Sequence, residues 1–362
     1  MSGIDEGWVK AQLGALIDPH NERDLASAGA IAGVAIAERR VAVDIVLGYP
    51  ARGYADALAA QARALLEGDP RIDSALVNVA WRIVPHQVQG GLTPLPEVRN
   101  IIAVASGKGG VGKSTTAVNL ALALKAEGAK VGILDADIYG PSQPRMLGVS
   151  GRPKTQGKRI IPEIAHGIAM ISIGLLIDED TPMIWRGPMV TQALQQLLNE
   201  TLWQDLDYLV IDMPPGTGDI HLTLCQRVPV SGAVIVTTPQ DIALLDARRG
   251  LKMFEKVAVP VLGIVENMAL HQCSNCGHIE HIFGEGGGAR MSAECGVPLL
   301  GSLPLALEIR EQVDSGNPTV AVAPDGDIAL RYRDIARRTA ARLALTARSK
   351  ALSIPSIVIE DN

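Results

Sequence analysis

The 362-residue chain is poor in cysteine and in aromatic residues. It has four cysteines, and Phe, Trp and Tyr together make up 3% of the residues. Four cysteines in a chain of this length cannot form the disulfide framework of a small secreted domain, so any that matter act as ligands or nucleophiles. With so few aromatic residues, the core must consist mainly of Val, Ile, Leu and Ala. Such a core is typical of a parallel sheet covered by helices on both faces.

The chain also lacks an excess of basic charge and a long apolar run. Its formal net charge of -6 disfavours nucleic acid as the main partner, because binding to a phosphate backbone needs a concentrated basic surface. No uncharged apolar run reaches the roughly 18 residues that would span a bilayer. The first ten residues, MSGIDEGWVK, do not resemble a secretory or transit segment. We therefore expect a cytoplasmic protein that binds neither nucleic acid nor a membrane.

The pattern of apolar residues predicts two domains. Residues 1–85 show a helix, two strands in a hairpin, a second helix and a third strand, which predicts a small αββαβ domain. Residues 86–98 are rich in Gly and Pro and are predicted to form a linker. Residues 99–350 alternate short apolar runs with helical patterns, and residues 351–362 form a tail. The predicted fold class is therefore α/β, with a doubly wound, mostly parallel sheet preceded by a small α+β domain.

A phosphate-binding loop is predicted at the start of the larger domain. The segment GKGGVGKS fits the pattern GxxxxGK[ST], and it lies between the predicted strand IIAVAS and the helical run TTAVNLALALKAEG. The glycines allow backbone N–H groups to turn toward phosphates, Lys113 supplies positive charge and the Ser114 hydroxyl is a magnesium ligand. The expected ligands are ATP and Mg²⁺. The predicted nucleotide-binding residues are Gly107, Lys108, Gly109, Gly110, Val111, Gly112, Lys113, Ser114 and Thr115.

One pair of cysteines has the spacing of metal ligands. Cys273 and Cys276 lie in the segment HQCSNCGH. A structural zinc ion and a cubane iron–sulfur cluster each take four protein ligands, so a single CxxC provides half a site. A symmetric dimer would complete the site with an identical pair. Two alternatives stay open, namely a redox pair and a zinc site that uses His271, His278 or His281 in addition.

Several motifs together resemble a known family. The form KGGVGKST, with a second lysine at Lys108, resembles the deviant Walker A ATPases. This form combined with DADIYGPS, IDMPPGTGD and ENM followed by CxxC is similar to the Mrp-type (ApbC-type) iron–sulfur cluster carrier ATPases over residues 101–325. The first 85 residues are similar to a small αββαβ domain of iron–sulfur assembly factors. That domain often has a cysteine near the end of its second strand, whereas LGYPARGY here has none.

The resemblance implies a role for each matching residue. Lys108 would reach across a homodimer to the partner's phosphates and act in catalysis with Lys113. Asp137 would be the switch residue that orients the attacking water, and Pro215-Gly216 would form a second switch. The remaining implied ligands are Asp135 and Asp212 for magnesium, Asn267 for adenine, and Cys273 and Cys276 for the iron–sulfur cluster.

These features lead to one main hypothesis. The protein would bind and hydrolyse ATP, hold a labile [4Fe-4S] cluster between the cysteine pairs of a homodimer, and transfer it to apo-proteins. Its partners would be apo iron–sulfur proteins and cluster-assembly scaffolds. A partition or positioning ATPase that acts on membrane or DNA is one alternative, although its cysteine pair would be idle. A reductase that holds the cluster tightly for electron transfer is another.

Overall fold

A computed structural model describes residues 4–86, 88, 92–176 and 187–351. These residues form two compact units. The first contains the residues up to 86 together with those from Ala340 onward, and the second extends from Val88 to Thr339. Parts of the predicted linker, and the predicted tail beyond residue 351, lie outside the described residues.

The first unit has the predicted helix, hairpin, second helix and third strand in that order, and a short hairpin that was not predicted, Ile17–Asp18 with Arg23–Asp24, lies between the first helix and the predicted hairpin. The two strands of the hairpin, β3 and β4, pair antiparallel, and β4 pairs in parallel with β5. Buried Leu58, Ala62 and Leu66 recur every four residues along α2, which gives this helix one apolar face. The elements are α1 (Glu6–Leu13), β1 (Ile17–Asp18), β2 (Arg23–Asp24), β3 (Ile31–Ala37), β4 (Arg40–Leu47), α2 (Ala55–Glu67) and β5 (Ser74–Trp81).

The second unit is built on an eight-stranded sheet. Its strands, together with the short strands of two hairpins outside the sheet, are β6 (Val98–Ala105), β7 (Val131–Asp135), β8 (Thr155–Gln156), β9 (Arg159–Ile160), β10 (Glu163–Ala165), β11 (Ile168–Ser172), β12 (Leu206–Asp212), β13 (Gly232–Thr237), β14 (Val261–Glu266), β15 (His271–Gln272), β16 (Ile279–Glu280) and β17 (Leu299–Ser302). Within the sheet the order is β10-β11-β7-β12-β6-β13-β14-β17, and every pair is parallel except β10 with β11. The predicted doubly wound, mostly parallel architecture is confirmed.

Helices follow the strands in alternation. The first of them begins directly after the glycine-rich loop and packs on β7 and β12, while α7 packs on β13. The helices are α3 (Lys113–Ala126), α4 (Gln143–Met146), α5 (Gly187–Glu200), α6 (Asp219–Arg227), α7 (Asp241–Lys256), α8 (Gly287–Cys295), α9 (Leu307–Asp314), α10 (Thr319–Val322) and α11 (Asp327–Ala351). Among the described helices, none has both the length and the apolar character that a membrane crossing requires.

The central strands are buried over most or all of their length. Every residue of β7, β13 and the last six positions of β6 lies in the interior, as the near-continuous apolar runs of their sequences predict. The register aligns the carboxyl ends of neighbouring strands, so that Asp212 of β12 is the partner of Asp135 on one side and of Val104 on the other. The loops that follow β6, β7 and β12 therefore meet at one edge of the sheet, where ligands bind in open α/β folds.

Candidate nucleotide site and cysteine hairpin

The glycine-rich loop after β6 is fixed from two sides. Gly112 has a φ of 80° and precedes the first residue of α3, and Gly110 has a φ of 82°, so both adopt the left-handed conformation that favours glycine. At Gly107 a Cβ atom would lie 2.1 Å from the backbone carbonyl carbon of Asp246 in α7. The loop is thus packed directly against the α7 backbone at one end and enters α3 at the other.

Four of the predicted site residues meet at the start of α3. Lys113 is 6% exposed, and its ammonium group donates a hydrogen bond to the carboxylate of Asp212. The same ammonium group lies 3.7 Å from the Asp137 carboxylate and donates to Ser114 Oγ at 3.1 Å. The structure therefore brings the lysine, the hydroxyl and two carboxylates together, although Asp137 and Asp212 come from different strand ends.

Asp135 lies in the interior beside this group. Its carboxylate accepts hydrogen bonds from the backbone N–H groups of Asp137 and Gln143, each at 3.1 Å, and from Ser172 Oγ at 3.1 Å. Burial raises the pKa of Asp135 above its ordinary value, and the nearby Asp212 carboxylate raises that pKa further. A divalent cation near the two carboxylates would favour their charged forms and so oppose both effects.

The residues around Asp137 fit a magnesium ion that arrives with a nucleotide. Asp137 Oδ1, Ser142 Oγ and Gln143 Oε1 are buried oxygen atoms without a hydrogen-bond partner in the structure. The described residues contain no group of three His, Cys, Asp or Glu arranged to hold a metal by itself. Mg²⁺ in nucleotide sites keeps several waters and takes phosphate oxygens, so a few carboxylate and hydroxyl oxygens without a complete protein cage suit it.

Two residues at this edge were not singled out from the sequence. The side-chain amide of Gln143 donates to Asp212 Oδ2 at 2.8 Å and to the backbone oxygen of Ser114 at 3.0 Å. His221 is buried, and its Nε2 donates to the carbonyl oxygen of Pro214 at 2.6 Å, next to the predicted second switch. Burial lowers the pKa of His221. Gln143 lies in the segment DADIYGPSQP, so its nearness to Asp135 in sequence was the available signal.

Lys108 and Asn267 occupy different environments. Lys108 is half-buried, and its ammonium group forms no ion pair with any carboxylate of the described residues. Asn267 is 6% exposed, and its side-chain amide donates to the carbonyl oxygen of Val111 in the glycine-rich loop at 2.9 Å. Asn267 therefore contacts the phosphate loop, while its contact with adenine stays a prediction.

The cysteine pair lies in a short hairpin between β14 and α8. Strands β15 and β16 pair antiparallel, and the backbone N–H of Cys273 donates to the carbonyl oxygen of His278 at 2.9 Å. The N–H of Gly277 donates to the Cys273 carbonyl at 2.9 Å, and Gly277 has a φ of 73°. This tight turn leaves Cys273 half-buried and Cys276 exposed.

The turn favours a thiolate at Cys273. The backbone N–H groups of Cys276 and Asn275, followed by the Cys276 thiol, lower the pKa of Cys273 by hydrogen bonding to its sulfur. Two of the histidines considered as zinc ligands use Nδ1 elsewhere: His271 contacts the Leu305 carbonyl at 3.0 Å, and His281 the Ala269 carbonyl at 2.8 Å. Within the described residues the two thiols have no third ligand arranged with them.

Sequence comparisons match each of the two units to a known family. Residues 97–340 match the family described as NUBPL iron-transfer P-loop NTPases, and residues 8–79 match a family of iron–sulfur cluster assembly proteins. An iron–sulfur cluster carrier protein of Pseudomonas fragi is 62% identical over 73% of this chain and 93% of its own length. The carrier protein of Synechocystis is 45% identical over 91% of this chain and 95% of its own. The iron–sulfur cluster transfer protein NUBPL of Mus musculus is 51% identical over 69% of this chain and 79% of its own length.

Solved structures share the fold of the second unit. A nucleotide-binding protein of Archaeoglobus fulgidus in complex with ADP is 37% identical, with a TM-score of 0.55 over 61% of this chain and 87% of that protein. The septum site-determining protein MinD of Pyrococcus horikoshii, complexed with Mg-ADP, is 23% identical, with a TM-score of 0.50 over 66% of this chain and 94% of that protein. At this identity the similarity shows only that the two proteins share a fold. The family match covers more than half of the chain and agrees with the motifs at the site. The chain therefore belongs to the family of NUBPL iron-transfer P-loop NTPases.

Proposed function

We propose that this protein is an ATP-hydrolysing carrier that holds a labile [4Fe-4S] cluster between two copies of its cysteine hairpin and transfers the cluster to apo-proteins. One observation carries the proposal: a P-loop NTPase presents two cysteines, Cys273 and Cys276, on an accessible turn where backbone N–H groups favour a thiolate. The carrier names of the relatives from Pseudomonas fragi and Synechocystis support it.

The number of thiols supports a shared cluster. A [4Fe-4S] cluster takes four cysteine ligands, whereas the hairpin provides two. Two chains related by a twofold axis bring two identical hairpins to the axis, and together they provide four. Because Cys276 is exposed, the thiols of an acceptor protein can reach such a cluster and replace the carrier's ligands one at a time.

The nucleotide site supplies the chemistry of ATP hydrolysis. The backbone N–H groups of the glycine-rich loop and the Lys113 ammonium would bind the phosphates of ATP. Ser114 would ligate magnesium, and Asp212 would hold it through water with Asp135 nearby, so that the ion neutralises phosphate charge. Asp137, whose Oδ1 has no protein partner, would orient the attacking water.

A homodimer is also needed for the proposed role of Lys108. Its ammonium group pairs with no carboxylate of the described residues, so it is available to reach the phosphates bound to a partner chain. The proposed partners are a second copy of the chain, apo iron–sulfur proteins and cluster-assembly scaffolds. The small N-terminal domain, which lacks a cysteine in LGYPARGY, would dock partners rather than ligate the cluster.

Anaerobic reconstitution with iron and sulfide tests the carrier proposal. Wild type should acquire a cluster. An apo-protein of the [4Fe-4S] dehydratase class should take up this cluster and regain its own enzymatic activity. Cys273→Ser and Cys276→Ser should fail to hold it. Cys295→Ser is the matched control, because Cys295 is a half-buried cysteine of α8 outside the hairpin, and this variant should behave as wild type.

Other outcomes would contradict the proposal in different ways. If Cys273→Ser and Cys276→Ser both retain the cluster, its ligands must be other residues. A hairpin-bound cluster that undergoes redox cycling but never leaves the protein would favour a reductase. Zinc bound at one ion per chain, with no iron uptake after the zinc is removed, would leave an NTPase with a structural metal.

A further inference from the structure

Gln143 lies at the junction of three segments of the nucleotide site. It is the first residue of α4, and its side chain is fully buried. Its backbone N–H donates to Asp135 Oδ2 at 3.1 Å. Its side-chain amide donates to Asp212 Oδ2 at 2.8 Å and to the carbonyl oxygen of Ser114 at 3.0 Å. One residue thereby joins the end of β7, the end of β12 and the first turn of α3.

The side-chain oxygen of Gln143, in contrast, has no hydrogen-bond partner. Both amide hydrogens of the side chain have acceptors, but Oε1 is buried without a hydrogen-bond partner. An unsatisfied buried polar group destabilises the folded state, so native proteins rarely keep one without a reason. Two further orphaned oxygens, Asp137 Oδ1 and Ser142 Oγ, belong to the same short segment. Three unpaired acceptor oxygens within seven residues of sequence indicate that a bound group supplies hydrogen-bond donors or a cation here.

We propose that Gln143 is a positioning residue for the magnesium ion that accompanies the nucleotide. Its amide N–H groups hold the Asp212 carboxylate and the start of α3 at a fixed separation. Its Oε1 accepts a hydrogen bond from a water molecule in the shell of the ion. Gln143 would act through Asp212 and through this metal-bound water. It would contact neither the transferred phosphate nor the separate water that attacks it. This inference rests on the proposed binding of Mg-nucleotide, and not on the proposed transfer of a cluster.

The chemistry of the surroundings explains why an amide suits this position. The side chain must donate to Asp212 and to a backbone carbonyl and also accept from water, and an uncharged side chain of this length that does all three is glutamine. A glutamate would place another carboxylate beside Asp212 and could not make the hydrogen bond that Gln143 donates to it. A methionine fills a similar volume but makes none of the three hydrogen bonds.

Metal binding to the ADP complex tests the proposal without requiring turnover or a cluster. Mn²⁺ replaces Mg²⁺ as the probe, and its free concentration is followed by electron paramagnetic resonance. Gln143→Met should bind ADP in EDTA within about twofold of wild type, while its ADP complex should bind Mn²⁺ at least about tenfold more weakly, as is typical when a partner outside the metal's direct ligands is removed. Gln143→Glu, which keeps an acceptor oxygen, should bind Mn²⁺ more tightly than Gln143→Met.

Gln312→Met is the matched control, since Gln312 Oε1 in α9 is also buried without a partner and the substitution is the same. This variant should bind ADP and Mn²⁺ as wild type does. The proposal is overturned if folded Gln143→Met binds Mn²⁺ within twofold of wild type, or if it loses ADP equally with and without metal. In both cases Gln143 would serve only to hold the protein together. Should Gln143→Met fail to fold, Gln143→Ala replaces it, since alanine also removes the side-chain hydrogen bonds to Asp212 and Ser114; a folded Gln143→Ala variant that binds Mn²⁺ within twofold of wild type would then overturn the proposal.

Discussion

The glycines of the phosphate loop face different constraints, although the motif treats them as one group. A Cβ atom at Gly107 would overlap the backbone of Asp246 and Ala247, which cannot move without displacing α7. At Gly109 the nearest atom to such a Cβ is a side-chain carbon of Pro215 at 3.9 Å, an ordinary contact. Gly107 is therefore required by packing, whereas Gly109 is available for a functional reason such as a close approach of phosphate.

This difference predicts unequal effects of two alanine substitutions on folding. Gly107→Ala should lower the free energy of unfolding by about 2 kcal/mol or more, as overpacking against a rigid backbone does. Gly109→Ala should leave it within about 0.5 kcal/mol of wild type. Urea unfolding without nucleotide measures both values. Equal destabilisation by the two variants would show that α7 does not restrain the loop in this way.

The sequence indicated where the proposed ligand-binding residues lie along the chain, but it did not indicate the contacts that hold them in place. The motif placed Lys113 and Ser114, and the strand ends placed Asp135 and Asp212, because each lies at a fixed offset from a recognisable apolar run. The contact of Asn267 with Val111 joins residues 156 positions apart. No local pattern contains such a contact, since it depends on how the loops after β6 and β14 meet.

At the level of elements, a buried ion pair ties the phosphate-loop helix to the last helix. Glu127 follows α3 directly, and its side chain is fully buried. Its carboxylate accepts hydrogen bonds from Arg333 at 2.7 Å and from Arg337 at 2.8 Å, both on α11. The two arginine side chains are 11% and 13% exposed, and their other carboxylate partners, Asp325 at 2.9 Å and Asp334 at 3.6 Å, are much more exposed than Glu127. Glu127 is therefore the one fully buried counter-charge that the two arginines share among the described residues.

Removing that negative charge should destabilise the second unit. Glu127→Gln removes the buried counter-charge and leaves the two arginines with the more exposed carboxylates of Asp325 and Asp334, so we expect the free energy of unfolding to fall by about 3 kcal/mol. Glu294→Gln is the control, because Glu294 pairs with Arg248 but remains 55% exposed, and such surface pairs contribute about 0.2–1 kcal/mol. Chemical unfolding of both variants provides the measurement. Similar small losses would mean that α11 is held by apolar packing alone.

The long strands of the second unit could be predicted from the sequence, whereas its shortest strands could not. The long strands of the sheet were predicted because buried parallel strands are continuous apolar runs. The hairpins β8–β9 and β15–β16 and the antiparallel edge strand β10 were missed. Their strands are two or three residues long, which is too short for any periodicity. The pairing of Glu127 with α11 was missed because charged residues in helical patterns are usually solvated.

At the level of the whole molecule, each of the two proposed activities needs two chains. The phosphates would be contacted by Lys113 of the chain that binds them and by Lys108 of the partner chain. A cluster would be held by two cysteines from each chain. One twofold interface is thus expected to serve both the nucleotide and the cluster.

Mixing two inactive variants tests the exchange of lysines between chains. Lys108→Ala and Lys113→Ala should each lose ATP hydrolysis, measured as phosphate release. In a mixed dimer, the site on the Lys108→Ala chain keeps its own Lys113 and receives Lys108 from the partner. Random pairing should therefore restore about a quarter of wild-type activity, because half of the dimers are mixed and each has one complete site of two.

The control for this experiment is Lys154→Ala, an exposed lysine outside the phosphate loop, which should hydrolyse ATP as wild type does. A mixture as inactive as its components, although the chains exchange, would place Lys108 in its own chain's site. The assigned role across the interface would then be wrong.

The most direct test of the carrier account is native mass spectrometry of the anaerobically reconstituted protein. We predict a species of two chains with one [4Fe-4S] cluster, that is, about four irons and four sulfides per dimer, which Cys273→Ser does not form. A cluster bound to a single chain, or one that persists in Cys273→Ser, would contradict the proposal that two cysteine hairpins share it.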